Sequence, residues 1–110
     1  MSMSTGADHD FQRHAEECLT KLVIALDAFD PDELEADLAG GVLKIAFPDG
    51  RNCIINRQSA ASQIWVAEGA SAWHFMRQPS GEWLDTKGKG SLTAVLCEVL
   101  TRRLGKTVTL

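Results

Sequence analysis

A chain of 110 residues with 45% apolar side chains can build one modest core, which excludes both a multidomain enzyme and wholesale disorder. The formal charge is −4, and the acids are concentrated: residues 1–40 hold ten carboxylates against only Arg13 and Lys21, a segment that repels nucleic acid and attracts cations or a basic protein surface. No run approaches the roughly 18 apolar residues of a membrane span and no signal-peptide core opens the chain; the three cysteines, Cys18, Cys53 and Cys97, sit in apolar patterns that suit buried thiols of a reducing compartment, so a cytoplasmic protein is expected.

Residues 1–7 are small and polar and are expected to fray. From Asp8 the pattern turns helical: Phe11, Ala15, Cys18, Leu19, Leu22, Leu26 and Phe29 recur at spacings that place them on one side. Pro31 disfavours helical geometry at Asp30, so the helix is expected to end near Phe29. Glu33, Glu35 and Asp37 then alternate with Leu34, Ala36 and Leu38, the pattern of an edge strand with its acids in water. Gly40-Gly41 turns the chain into a hairpin of Val42 to Phe47 and Asn52 to Arg57 around Pro48-Asp49-Gly50.

Ser59 to Ala61 connects to a strand at Gln63 to Ala67, followed by strands at Ala72 to Arg77 and, briefly, Glu82 to Leu84. Ser91 is a plausible N-cap for a second helix whose stripe is Leu92, Val95, Leu96, Val99, Leu100 and Leu104, with Gly105 as its stop. Val108 and Leu110 of the tail can pack against a helix seam. With no helix between strands, the expected fold is a two-layer α/β sandwich. Both terminal helices cover one face of a mainly antiparallel sheet of about six strands, and the other face stays open.

Enzyme signatures are absent: there is no glycine-rich phosphate loop, HExxH, CxxC or GxSxG. His9, His14 and His74 are scattered, and none is read as standing at ligand spacing from a cysteine. Cys18 and Cys97 are expected to be buried and inert. At 100° per residue, Asp10, His14, Glu17 and Lys21 fall together opposite the core of the first helix, with Glu16 and Asp27 nearer its margin. If the acidic strand runs along that margin, carboxylates of two elements converge on one rim; oxygen donors alone suit Fe, Mn, Mg or Ca held weakly. A solvated acidic surface that aids solubility is the competing reading.

In the Gln63 to Ala67 strand, Ile64 and Val66 share the aliphatic face and so should meet the helices. Trp65 is then expected on the open face, beside Asn56 or Arg57 and Gln58 of the neighbouring strand, where an aromatic on polar sheet is a typical protein-contact anchor. Trp73 and Trp83 are expected at the core or its edge.

Gly41 to Phe47, Asp49-Gly50, Ile54-Ile55-Asn56-Arg57-Gln58, Gln63-Ile64-Trp65-Val66-Ala67, His74-Phe75 and Gly81-Glu82-Trp83 together resemble the frataxin family in its bacterial form, over nearly residues 8–110. The resemblance implies a single domain with the fold above and no catalytic site. It implies weak binding of ferrous and ferric iron on an acidic ridge, here Asp10, Glu16, Asp27, Asp30, Glu33, Glu35 and Asp37. It also implies docking on the cysteine desulfurase and scaffold complex that assembles iron–sulfur clusters, through Asn56, Arg57, Gln58 and Trp65, with modulation of its rate. A monomer is expected, with iron-dependent oligomers as a further state. The chain departs from the family pattern where Val23, Ile24 and Ala28 stand in place of acids, and where Ser71-Ala72 replaces a glycine pair. An acidic adaptor without a metal role and a carboxylate-based iron oxidase stay open as other readings.

Overall fold

The computed structural model describes residues 6–110; the expected fraying of the first residues lies mostly outside that range. Helix α1 spans Gly6–Leu26, so it begins two residues earlier and ends three residues earlier than the periodicity suggests. Its end tightens: the amides of Ala28 and Phe29 donate three residues back, to the carbonyls of Ala25 and Leu26, and helical bonding stops before Pro31 is reached.

Six strands follow: β1 (Glu35–Ala39), β2 (Val42–Ala46), β3 (Asn52–Gln58), β4 (Gln63–Glu68), β5 (Ser71–Arg77) and β6 (Trp83–Asp85). They form one antiparallel sheet in sequential order, because every connection is a short turn and none is a crossover. Gly40 and Gly41, at φ 58° and 78°, supply the two left-handed residues that a type I′ hairpin requires. A Cβ at Gly41 would meet the Arg57 guanidinium at 2.9 Å, so the turn is also a packing site.

One sheet face is the floor of the core. Leu43, Ile45, Cys53, Ile55, Ile64, Val66 and Phe75 lie on it, all fully buried beneath α1 and helix α2 (Leu92–Leu104). Each large apolar side chain so buried is worth about 1.5–3 kcal/mol relative to exposure, so this floor is what holds both helices to the sheet. Trp83 is buried and Trp73 half-buried against the same cluster, as expected.

Helix α2 has the termini its sequence announces. Ser91 Oγ accepts the Ala94 amide at 3.1 Å, and Gly105, at φ 70°, donates its amide to Thr101 at 3.0 Å. Val108 is buried and its amide donates to Thr101 Oγ1 at 3.0 Å, which fastens the tail to the last turn.

Two acids are buried in positions that sequence reasoning left unassigned. Glu68, at the end of β4, is ion-paired with Arg103 and lies 3.8 Å from Arg102, so its carboxylate ties the sheet to the C-terminal turn of α2. The Arg103 guanidinium also lies 5.6 Å from the centre of the Phe47 ring. Asp85 accepts the backbone amides of His74, Lys87 and Lys89 at 3.0–3.3 Å, which shapes the loop after β6.

Candidate functional site

The face of the sheet opposite the helices carries the candidate docking residues, and the strand register shows which belong together. Ala39, Val42, Asn56, Trp65 and His74 are successive cross-strand partners on that face from β1 to β5. Trp65 therefore stands on the open side, while its neighbours Ile64 and Val66 are buried on the other. Its indole lies against the imidazole of His74, with ring centres 4.2 Å apart and planes within 11°. The indole N–H donates to Gln63 Oε1 at 2.7 Å. Stacking on one side and a hydrogen bond at the edge hold the ring in one pose before anything binds.

Around this ring the open face is mixed. Asn56 is half-buried and its Nδ2 donates to the Arg57 carbonyl at 3.2 Å; Gln58 is the register partner of Gln63. Ile54 and Leu84 are half-buried there, and Val42 and Met76 are 41% and 44% exposed, so apolar side chains are interspersed with the polar ones. Arg57 does not belong to the group. Its partner across the ladder is the buried Ile64, and its guanidinium lies against Gly41. The alternation of a strand separates it from Asn56 and Gln58.

His74 and Gln63 are the residues that sequence reasoning missed as members of this site. A signal was available: the two-residue Gly69-Ala70 turn pairs Glu68 with Ser71, and counting back along both strands sets Trp65 opposite His74.

The acidic rim is looser than the sequence suggests. Helix α1 packs on β1, the outermost strand, so the two elements do share one edge of the molecule. Glu35 and Asp37 point to the open face, Asp37 directly across the ladder from Lys44. Glu33 is not in their row. It precedes the strand in a turn, where its carboxylate pairs with Lys106 and accepts the Asp30 amide at 3.3 Å. The hydrogen bond from Lys106 holds its pKa below the ordinary carboxylate range, reinforced by the Asp30 amide and opposed by burial. Asp10 is engaged locally, at 2.8 Å from Arg13.

Glu16, Asp27, Asp30 and Glu35 are exposed and, among the described residues, without a cationic partner. No three His, Cys, Asp or Glu side chains among the described residues converge on a point that could hold one metal ion. The rim carboxylates are hard oxygen donors, and among the described residues no three of them form an enclosed site.

The helix stripe expected to face away from the core is turned to one flank. His14, Glu17 and Lys21 line a cavity of about 380 Å³ with Cys18, Arg77, Gly81 and Trp83, and the His14 side chain is only 25% exposed. Cys18 and Cys97 are half-buried, a correction to the expectation of full burial; Cys53 is buried. Desolvation pushes the Cys18 thiol up to about 11 against the opposing pull of Lys21, and burial together with Glu68 pushes Cys53 up to about 12 despite Arg103. Neither is a thiolate nucleophile at neutral pH.

Comparison with known proteins matches residues 4–106 to the family described as Frataxin-like domain. A relative from Thioalkalivibrio sulfidiphilus named iron-sulfur cluster assembly protein CyaY is 40% identical over 106 residues, covering 94% of this chain and 99% of its own. The solved frataxin of Psychromonas ingrahamii shares the fold at a TM-score of 0.79 with 23% identity, over 93% of this chain and 95% of that one. A trimeric frataxin from Saccharomyces cerevisiae, described as complexed with ferrous, superposes at 0.61 with 25% identity over 96% of this chain and 92% of its own.

Proposed function

The chain belongs to the frataxin family, and from that membership we propose that it is a regulatory protein of iron–sulfur cluster assembly that docks on the cysteine desulfurase and scaffold complex and alters its rate. The observation that carries this reading is the open sheet face, where a stacked, hydrogen-bonded Trp65 stands among Asn56, Gln58 and exposed Val42 and Met76. A rigid aromatic anchor on a partly apolar surface fits a protein partner better than a small substrate. The acid-rich edge beside it supplies steering toward a basic surface, an effect that sums over charges and needs no shared ligand geometry.

Iron is cargo or effector in this reading, not a resident cofactor. Glu16, Asp27, Asp30 and Glu35 would contact ferrous or ferric ions one carboxylate at a time, with water completing the shell. Asp37 is tempered by Lys44, and Glu33 joins only if Lys106 lets go. The working species is a monomer, with oligomers forming under iron. The test is desulfurase turnover with the scaffold present, measured with and without this protein across a range of ferrous iron. A change in turnover that depends on this protein supports the reading, and turnover indifferent to it at saturating concentration removes it.

A further inference from the structure

We propose that the outer edge of β5 at Ala72, beside the loop that carries Lys87 and Lys89, is a docking notch for an extended, acidic segment of a partner protein. Strand β6 covers β5 only from Phe75 to Arg77, and the chain then leaves the sheet. The Thr86 amide still reaches the His74 carbonyl at 2.8 Å, but the His74 amide donates to Asp85 Oδ1 at 3.3 Å and not to a strand. Both backbone groups of His74 therefore point away from β4. In an antiparallel pair that direction alternates from residue to residue, so the amide and carbonyl of Ala72 point outward as well. Among the described residues nothing beyond the sheet bonds to them. Ala72 is exposed, which leaves this piece of edge open to an added strand.

The neighbouring loop decides which strand fits. Lys87 and Lys89 are exposed and, among the described residues, have no carboxylate partner. With Ser71, Ala72, His74 and Thr86 they line a cavity of about 480 Å³ at this edge. The carboxylate in that lining, Asp85, is buried and already accepts the amides of His74, Lys87 and Lys89. It fixes the loop backbone and leaves the two ammonium groups to meet an incoming charge.

Carboxylates of an added segment neutralise both lysines, whereas a basic segment is repelled, so backbone pairing supplies affinity and the lysines supply the choice of sign. The notch adjoins the anchor, because His74 in its wall stacks on Trp65. Glu35 and Asp37 lie on β1 at the other end of the strand order, so the two edges select partner segments of opposite charge. The notch works in the same way whether or not the desulfurase occupies the open face.

The test is an NMR titration of the isotope-labelled, full-length protein with a blocked synthetic hexapeptide alternating glutamate and valine. A lysine–valine counterpart and inorganic phosphate are the controls. We expect saturable shifts of the Ala72, Lys87 and Lys89 amides, and slowed hydrogen exchange at Ala72, with the acidic peptide alone. Lys87→Gln combined with Lys89→Gln should weaken binding about tenfold. Ala72→Pro deletes the unpaired donor and spares the ladder to β4, so it should abolish binding. Should Ala72→Pro prove misfolded by its amide spectrum, the double lysine variant and the Ala72 exchange rate in the parent decide the matter. No response to the acidic peptide, an equal response to the lysine peptide or to phosphate, or unchanged affinity in a folded variant would overturn the proposal. Ala72 protection that grows with protein concentration alone would overturn it too, by assigning the edge to a second copy of the chain.

Discussion

The Trp65 ring is held in one orientation by His74 and Gln63, and that is the basis for separating its contribution from those of its supports. Truncation of a central aromatic anchor typically costs about 2 kcal/mol or more, so Trp65→Ala should weaken binding to the desulfurase complex by roughly thirtyfold. His74→Ala removes only the stack, worth about 0.5–1.5 kcal/mol. His74→Phe, which keeps an aromatic ring in the same register, should restore most of that loss. Calorimetric affinities of the three variants check this. Equal affinities for His74→Ala and the parent would mean that the imidazole does not position the indole.

Glu33 gives a second residue-level expectation. Its pKa is lowered in the folded chain, first of all by Lys106. The pair therefore contributes stability above the ordinary glutamate range, and that contribution is lost as pH falls through the folded-state value. Lys106→Ala should return the Glu33 titration, followed by side-chain NMR, toward the ordinary range. A curve that does not move would show that Lys106 is not the cause.

At the level of whole strands and helices, α2 is seated by its buried apolar stripe, and its cap and one buried ion pair add to that. Ser91→Ala should cost about 1 kcal/mol through loss of the hydrogen bond to Ala94. Arg103→Ala should cost more, about 3–5 kcal/mol, because Glu68 is only 5% exposed and would keep a buried charge with Arg102 as its remaining partner. Chemical denaturation of the two variants orders the effects, and an Arg103→Ala loss no greater than that of Ser91→Ala would contradict this reading of the pair.

These elements were legible in the sequence to different degrees. Strands β2 to β5 show in β-branched and apolar runs broken by Asp49-Gly50 and Gly69, and α2 shows through Ser91 and Gly105, because those residues carry their own local geometry. The face of Trp65 followed from Ile64 and Val66 by the two-residue period. Contacts between distant segments were not legible. Glu33 reads as the first acid of an alternating strand, but its amide donates to the Asp30 carbonyl at 2.8 Å in the turn before β1, and its side-chain partner Lys106 comes from the far end of the chain. Arg57 sits beside Asn56 and Gln58 in the chain, yet the alternation of β3 turns it to the other side. Glu68 and Asp85 carried no pattern at all, since their partners lie on α2 and on loop amides.

Across the whole molecule, charge is divided along the chain: ten of the 15 acids lie in residues 1–40, while nine of the 11 basic side chains lie in residues 41–110. Because α1 and β1 are adjacent, the acid-rich part occupies one edge and the anchor face lies next to it. Exposed charges are screened over about 8 Å near physiological ionic strength, so the association rate with the desulfurase should fall as salt rises while dissociation changes less. Stopped-flow rates in a salt series test this, and a flat association rate would remove steering from the account.

The most direct test of the central claim, that one uncovered sheet face grips the assembly machinery, is to map amide signal loss on the isotope-labelled protein as the unlabelled cysteine desulfurase and scaffold complex is added. The account predicts losses centred on Asn56, Gln63, Trp65 and His74 and extending to Glu35 and Asp37, with the outer surface of α2 around Glu98 unaffected. Losses centred on α2, with the Trp65 and His74 signals intact at saturation, would contradict it.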